Sequence, residues 1–126
     1  MQLTMHVVEG DYAIARLAPE APLPAWLPQK GFCSVTRSAD ELSVVCLQRA
    51  VPAAVRSDGD WRMFSLAGPF PFDMTGILLK VLAPLAAADI GIFALSTFDT
   101  DHVLVKAAHL DAAIAALRAD GHTVHA

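Results

Sequence analysis

The protein is a chain of 126 residues, of which 55% are hydrophobic and 17% are charged, and its formal net charge is −4. The high apolar fraction excludes an intrinsically disordered chain, and the length fits one compact domain or two very small ones. The nine basic residues are scattered among thirteen acidic ones, which argues against nucleic acid or an anionic membrane as a partner. The surplus of apolar over charged residues suggests that some surface is buried against a second copy of the chain.

No targeting or membrane-spanning segment is evident in the sequence. The start of the chain lacks the basic region and the apolar run of a signal peptide. The longest apolar stretch, residues 77–88, is interrupted by Lys80 and Pro84 and is shorter than the ~18–20 residues that span a bilayer. Cys33 and Cys46 lie in apolar, strand-like runs, where buried thiols are expected rather than a disulfide. A cytoplasmic location is therefore expected.

The first half of the chain is predicted to be extended. A turn is predicted at Glu9-Gly10-Asp11, and residues 38–41 are expected to join two strands as a hairpin. A proline-rich crossing before this hairpin leaves room for one short helical turn. The polar stretch at residues 56–60 is predicted to be a linker or turn. The strand-like segments are residues 3–8, 12–17, 32–37 and 42–47.

The second half combines strands with two amphipathic helices. Apolar residues at spacings of three and four predict helices at residues 74–88 and 110–119, and Gly121 supplies a stop signal for the second. The resulting order, β-α-β-β-α-β, is that of the ferredoxin-like α+β fold. The predicted strands are residues 61–66, 92–97, 102–106 and 123–124, the last of them an edge strand.

Two residues of the first predicted helix have specific consequences. Asp73 is placed to cap its N-terminus, where a carboxylate also suits the positive end of the helix. Pro84 lies inside the helix, so it should bend the helix and remove the hydrogen bond to the carbonyl of Lys80.

An internal repeat relates the two halves. Residues 31–36 align without gaps with residues 91–96, and the hairpins that follow also align. The first half has a proline-rich stretch where the second has its first helix. We therefore expect two units: a reduced, mostly β unit at residues 1–58 and a complete βαββαβ unit at residues 59–126.

The sequence offers little for catalysis. The five histidines show no metal-ligand spacing, and the motifs of a nucleophilic serine, a phosphate-binding loop and a dinucleotide-binding loop do not occur. We therefore expect no enzyme activity, no metal and no cofactor. A small ferredoxin-like enzyme that uses His102 with Asp99 or Asp101 is kept as an alternative, although turn chemistry also accounts for these two aspartates.

The segment before the first helix, residues 68–77, is a candidate ligand site. Two prolines stiffen it, and Gly76 leaves the backbone open to a small molecule. Free N–H groups at a helix start bind carboxylates, and Asp73 beside them would hold an ammonium group, so together they would complement a free amino acid. A capped helix after a proline-bounded loop explains the same pattern, and both interpretations stay open.

Three motifs occur in a fixed order in the second half: T-G-I-L at residues 75–78, P-L-A at residues 84–86 and S-T-F-D-T-D at residues 96–101. Residues 42–46 and 50–52 fit a first, reduced copy of the same unit. In this order the motifs resemble the ACT-domain family. They are most similar to small bacterial tandem-ACT proteins related to the ACT modules of the CASTOR arginine sensor and of aspartate kinases.

The resemblance implies an ACT fold with two ACT-like units in tandem and a regulatory, non-catalytic role. ACT modules pair side by side and bind an effector amino acid at the interface between modules, so we expect a free amino acid and a homodimer as partners, with a partner enzyme or regulator receiving the signal. The alternative is a protein-protein interaction module with a vestigial ligand site that docks a partner enzyme. The family's ligand contacts correspond here to Phe72, Asp73, Met74, Thr75, Gly76 and Ile77, with Leu95, Ser96 and Thr97 opposite.

Overall fold

The computed structural model describes all 126 residues and contains seven β-strands and two α-helices. This composition confirms the predicted α+β class. The helices are α1, Ile77–Ala87, and α2, Leu110–Ala119, and short 3₁₀ helices lie at Gln48–Ala50 and Ala107–His109. The strands are β1 Thr4–Leu17, β2 Ser34–Arg37, β3 Leu42–Leu47, β4 Ser57–Leu66, β5 Phe93–Ser96, β6 Asp101–Lys106 and β7 Thr123–His125.

Strand β1 is continuous through the position of the predicted turn at Glu9-Gly10-Asp11, so that prediction is wrong. Gly10 has a φ of 102°, a conformation that side-chain-bearing residues rarely adopt. A Cβ on Gly10 would also lie 2.8 Å from the Leu47 side chain. Gly10 therefore lets the extended chain pass close to β3, where the sequence suggested a reversal.

The linker predicted at residues 56–60 is also wrong, because β4 already begins at Ser57. Its polar groups are hydrogen-bonded locally. The backbone N–H of Asp60 donates to Oε1 of Gln48 at 2.7 Å, and Nε1 of Trp61 donates to Oδ1 of Asp58 at 2.9 Å. The polar composition of this segment therefore belongs to the exposed beginning of β4, not to a linker or turn.

Tertiary contacts divide the chain into two units. Gly10–Trp61 forms the strand unit, and Met1–Glu9 together with Arg62–Ala126 forms the helical unit. The sequence-based division at residues 1–58 and 59–126 differs from these units at the first strand, since β1 contributes its start to the helical unit. As a description of two tandem ACT-like modules, that division stays a prediction.

In the strand unit, β3 pairs antiparallel with both β1 and β2. The hairpin of β2 and β3 is the predicted one, and the backbone N–H of Ser38 donates to the carbonyl of Glu41 at 2.9 Å within its turn. A small core of buried side chains, Ala15, Val44 and Cys46, lies under the partly buried Trp26, Leu27, Val51 and Val55.

The two cysteines of the strand unit differ in accessibility. Cys46 is buried, as predicted, whereas Cys33 is exposed, and neither forms a disulfide. Burial raises the pKa of the Cys46 thiol to about 11. Because the thiolate is the reactive form, we expect a disulfide reagent to label Cys33 in the folded protein and Cys46 only after unfolding. The Cys33→Ser variant should therefore take up no label while folded, and rapid labelling of that variant would contradict the buried position of Cys46.

In the helical unit the strand order is β7-β1-β4-β6-β5, with β7 parallel to β1 and β5 antiparallel to β6. The chain order β4-α1-β5-β6-α2-β7 confirms the predicted βαββαβ unit, and the start of β1 adds a strand between β4 and β7. Helix α2 has the predicted bounds and is followed by Gly121 at a φ of 94°. The core consists of Leu3, Met5, Phe64, Leu66, Ile90, Val103, Val105 and Val124 with Ile77, Val81, Leu85, Ala113 and Leu117 from the helices.

Helix α1 contains a proline whose effect is compensated from a distant part of the chain. Pro84 has no N–H to donate to the carbonyl of Lys80 one turn earlier. Nε2 of the buried His122 lies 3.0 Å from that carbonyl oxygen. The backbone N–H of Leu3 donates to Nδ1 of His122 at 3.1 Å, so Nδ1 is the acceptor and the ring proton is on Nε2. His122 therefore supplies the donor that Pro84 removes.

Candidate functional site

A cavity of about 270 Å³ lies in the helical unit between two chain segments. One wall is the segment that connects β4 to α1, and the other is the hairpin of β5 and β6. The volume falls just below the ~300–1,000 Å³ of pockets for drug-sized ligands, so the cavity has the size of a small metabolite. The lining residues are Phe70, Pro71, Phe72, Met74, Gly76, Ile77 and Leu78 from the first wall and Ser96, Thr97, Phe98, Asp99, Thr100 and Asp101 from the second.

The two walls are hydrogen-bonded to each other. The backbone N–H of Phe70 donates to the carbonyl of Asp99 at 2.8 Å, and the hydroxyl of Thr100 donates to the carbonyl of Leu66 at 2.8 Å. The walls also approach each other closely at Gly68, where a Cβ would lie 2.8 Å from the carbonyl oxygen of Asp99. The absence of a side chain at this position therefore lets the two segments meet.

The hairpin turn that forms the second wall is built from polar groups. The backbone N–H of Thr97 donates to the carbonyl of Thr100 at 2.8 Å, and its hydroxyl donates to the same carbonyl at 3.1 Å. Ser96 and Asp101 face each other in the β-ladder, and the serine hydroxyl donates to the aspartate carboxylate. These contacts fix the direction in which the turn presents its side chains to the cavity.

Helix α1 begins later than predicted, and the prediction that Asp73 caps it is wrong. The N-cap is Gly76, at a φ of 80°, and no side chain caps the helix. Upstream, the backbone N–H of Met74 donates to the carbonyl of Pro71 at 3.1 Å, which forms a separate turn. Gly76, with its left-handed backbone conformation, turns the chain into the helix. The N–H groups of the first turn therefore lie at the end of α1 that lines the cavity, and no side chain caps them.

Six of the nine predicted site residues line the cavity and three do not. Asp73 and Thr75 are exposed outside its lining, and Leu95 is the half-buried residue of β5 that precedes Ser96. Neighbouring residues of a strand point to opposite faces, which separates Leu95 from Ser96. The six lining residues are Phe72, Met74, Gly76, Ile77, Ser96 and Thr97.

The sequence-based prediction missed more than half of the lining. Phe98, Asp99, Thr100 and Asp101 directly follow two predicted residues, and the S-T-F-D-T-D motif is the signal that would have found them. In the sequence, turn chemistry alone accounts for Asp99 and Asp101, because the sequence does not show that this turn lies opposite the β4–α1 segment. The other missed residues are Phe70, Pro71 and Leu78.

The cavity is acidic. Asp99 and Asp101 are among its lining residues, and no lysine, arginine or histidine lines it. His102 follows Asp101 in β6 but lies outside the lining; burial lowers its pKa, and the Asp101 carboxylate partly opposes this effect. Such an arrangement favours a cationic ligand. It does not bring His102 together with an aspartate inside the cavity, as the alternative enzyme hypothesis requires.

A second cavity has a different character. A groove of about 360 Å³ in the strand unit is lined by Gly10, Asp11, Leu47, Gln48 and Arg49, so it carries both charges and includes no predicted site residue. The chain has no group of three or more histidine, cysteine or acidic side chains placed to hold a metal ion. Neither helix has the length and hydropathy that crossing a bilayer requires.

Comparison with known proteins identifies relatives of both halves of the chain. The ACT domain family profile matches residues 56–119, and a second profile, of an N-terminal domain, matches residues 10–54. The cytosolic arginine sensor for mTORC1 subunit 1 is 44% identical over 81 residues in Bos taurus and 42% identical in Homo sapiens. The match covers 60% of this chain but 23% of those relatives, so the chain spans less than a quarter of their length.

Solved structures give the same result for the fold. A crystal structure of a protein from Agrobacterium tumefaciens is 44% identical and superimposes with a TM-score of 0.93, covering 98% of this chain and 92% of that one. The regulatory subunit of aspartate kinase from Thermus flavus has a TM-score of 0.66 at 12% identity, covering 92% of this chain and 95% of that one, which indicates a shared fold. Because the ACT domain family profile matches residues 56–119, just over half of the chain, the chain belongs to the ACT domain family.

Proposed function

We propose that the protein is a non-catalytic regulatory module that binds a free amino acid in the cavity between the β4–α1 segment and the β5–β6 hairpin. The observation that carries this proposal is the combination of two aspartates with the start of a helix among the residues that line one small cavity. An amino acid carries a cation and an anion on one carbon, and the cavity offers a complement to each.

The proposed contacts follow from this complementarity. The first-turn N–H groups of α1, which lack intrahelical acceptors, would receive the ligand carboxylate. Asp99 and Asp101 would receive cationic groups through charge-assisted hydrogen bonds. With two carboxylates and no lining cation, an amino acid with a cationic side chain suits the cavity best. Relatives named as arginine sensors support arginine as the first ligand to test.

The signal is proposed to pass through assembly. The cavity is open at the rim formed by Phe72 and Phe98, and a neighbouring ACT module from a second copy of the chain would complete it. Ligand would then favour a homodimer, or a complex with a partner enzyme or regulator in the cytoplasm, by its differential affinity for the two assemblies. Asp73 and Thr75, outside the cavity lining, are proposed to contact the ligand only in such an assembly.

Thermal unfolding with each of the twenty amino acids tests the proposal. A ligand at about 100 times its dissociation constant should stabilise the protein by about 2.7 kcal/mol, and arginine is expected to give the largest shift. The Asp101→Asn variant should weaken arginine binding roughly tenfold or more, because it removes a charge-assisted contact. Asp111→Asn, at an exposed aspartate of α2 outside the lining, is the matched control. Absence of any shift with all twenty amino acids would refute the proposal.

The second candidate is an interaction module whose ligand site is vestigial and which docks a partner enzyme. The exposed aromatic side chains at the cavity rim favour it, since large apolar side chains exposed together mark contact surfaces. This candidate predicts that Thr75→Leu leaves partner binding intact while Phe72→Ala and Phe98→Ala weaken it. Loss of binding in all three variants would instead favour a ligand-dependent complex.

A further inference from the structure

Two phenylalanines from opposite walls meet at the rim of the cavity. Phe72 belongs to the β4–α1 segment and Phe98 to the β5–β6 turn, and both line the cavity. Their ring centroids are 5.1 Å apart with an interplanar angle of 88°, an edge-to-face contact. The rings therefore span the rim from one wall to the other.

Both rings are unusually accessible for their type. Phe72 is 77% exposed and Phe98 is 79% exposed, although phenylalanine is among the residues most often buried. Their mutual contact covers little of either ring, so most of the aromatic surface stays available to a ligand. In an edge-to-face pair, the ring faces also keep the negative quadrupole that attracts cations.

The acidic residues and the exposed aromatic rings of the cavity together limit which ligand can use both. Asp99 and Asp101 line the same cavity and select positive charge. A guanidinium group is planar, weakly hydrated and able to stack on an aromatic face while it donates hydrogen bonds to a carboxylate in its own plane. An ammonium group is compact and strongly hydrated, so it can bind the carboxylates but is stabilised less by contact with the rings.

We infer that Phe72 and Phe98 are specificity-determining residues: they form an aromatic clamp in which one ring stacks on a guanidinium group and the other, perpendicular to it, holds that ring in place, while Asp99 and Asp101 balance the charge. The inference rests on the proposed function and adds the basis on which the site distinguishes arginine from lysine. The discrimination is assigned to the aromatic rings, because the carboxylates attract the side chains of arginine and lysine alike.

Calorimetric titration of arginine and lysine into the wild-type protein and the Phe72→Leu and Phe98→Leu variants tests the inference. Leucine keeps an apolar side chain and removes the aromatic face. We expect each variant to lower the ratio of arginine affinity to lysine affinity about three- to tenfold. The matched control is Leu79→Ala, a 66% exposed apolar side chain of α1 outside the lining, which should leave the ratio unchanged. Since all three side chains are largely exposed, the variants should fold, and circular dichroism checks this.

The outcomes separate the inference from the proposed function. An unchanged ratio, or an equal loss of affinity for both amino acids, overturns the clamp while amino-acid binding stands. Failure of the wild-type protein to bind either ligand overturns the clamp and the choice of a cationic amino acid, whereas the proposed function is refuted only if none of the twenty amino acids binds. A lowered ratio in both leucine variants but not in the control supports the clamp.

Discussion

Replacing the buried His122 by alanine is expected to lower the free energy of unfolding by roughly 2–4 kcal/mol. The imidazole accepts from the backbone N–H of Leu3 at 3.1 Å and lies 3.0 Å from the carbonyl of Lys80. Its removal leaves both backbone groups without these partners and opens a cavity in the helical unit. Urea denaturation measures the change, and His109→Ala is the control because His109 is exposed and makes no capping hydrogen bond.

A second substitution distinguishes this specific role from general packing. Alanine at position 84 restores an N–H that can donate to the Lys80 carbonyl, so His122→Ala should cost about 1 kcal/mol less in a Pro84→Ala background. The four proteins of this cycle are compared by the same denaturation experiment. Equal costs of His122→Ala in both backgrounds would show that His122 does not substitute for the missing helical donor.

The order of elements in the helical unit was predictable because each element carries a local signal. Helix α2 has an apolar stripe and ends just before Gly121, so its bounds follow from the spacing of its apolar residues and from the glycine that follows its C-terminus. The course of β1 was not predictable in this way. Glycine within Glu9-Gly10-Asp11 is a turn signal, but in the structure its positive φ and the approach of Leu47 account for the glycine within a continuous strand. Gly10 and Leu47 are 37 positions apart in the sequence, so a short stretch of sequence does not reveal their contact.

In the candidate site, too, the features set by neighbouring residues were easier to predict than those set by residues distant in the sequence. Its motifs identified six lining residues, but the capping prediction at Asp73 failed because Gly76 enters the helix by its backbone conformation, without a side-chain cap. The second wall depends on pairings such as Phe70 with Asp99, which join segments distant in sequence. Likewise, Pro84 indicated that the Lys80 carbonyl loses its donor, but nothing local pointed to His122 as the replacement.

Replacing Gly68 by alanine is expected to separate the two walls of the cavity and to destabilise the protein by about 1–3 kcal/mol. The new Cβ would lie 2.8 Å from the carbonyl oxygen of Asp99 and 3.1 Å from Cβ of Thr100. These are backbone and near-backbone atoms, so rotation of a flexible side chain cannot relieve the contact. The Asp99 carbonyl is also the acceptor for the N–H of Phe70, so its displacement strains the hydrogen bond between the walls.

Chemical denaturation and titration with arginine together test this prediction. Gly91→Ala is the matched control, because a Cβ on Gly91 would meet no atom within 4 Å and its backbone does not require glycine. We expect the control to change stability and affinity little, whereas Gly68→Ala should lower both. If Gly68→Ala kept wild-type stability, the walls would be able to move apart at no cost. Unchanged arginine affinity in a destabilised Gly68→Ala protein would place the ligand away from this cavity.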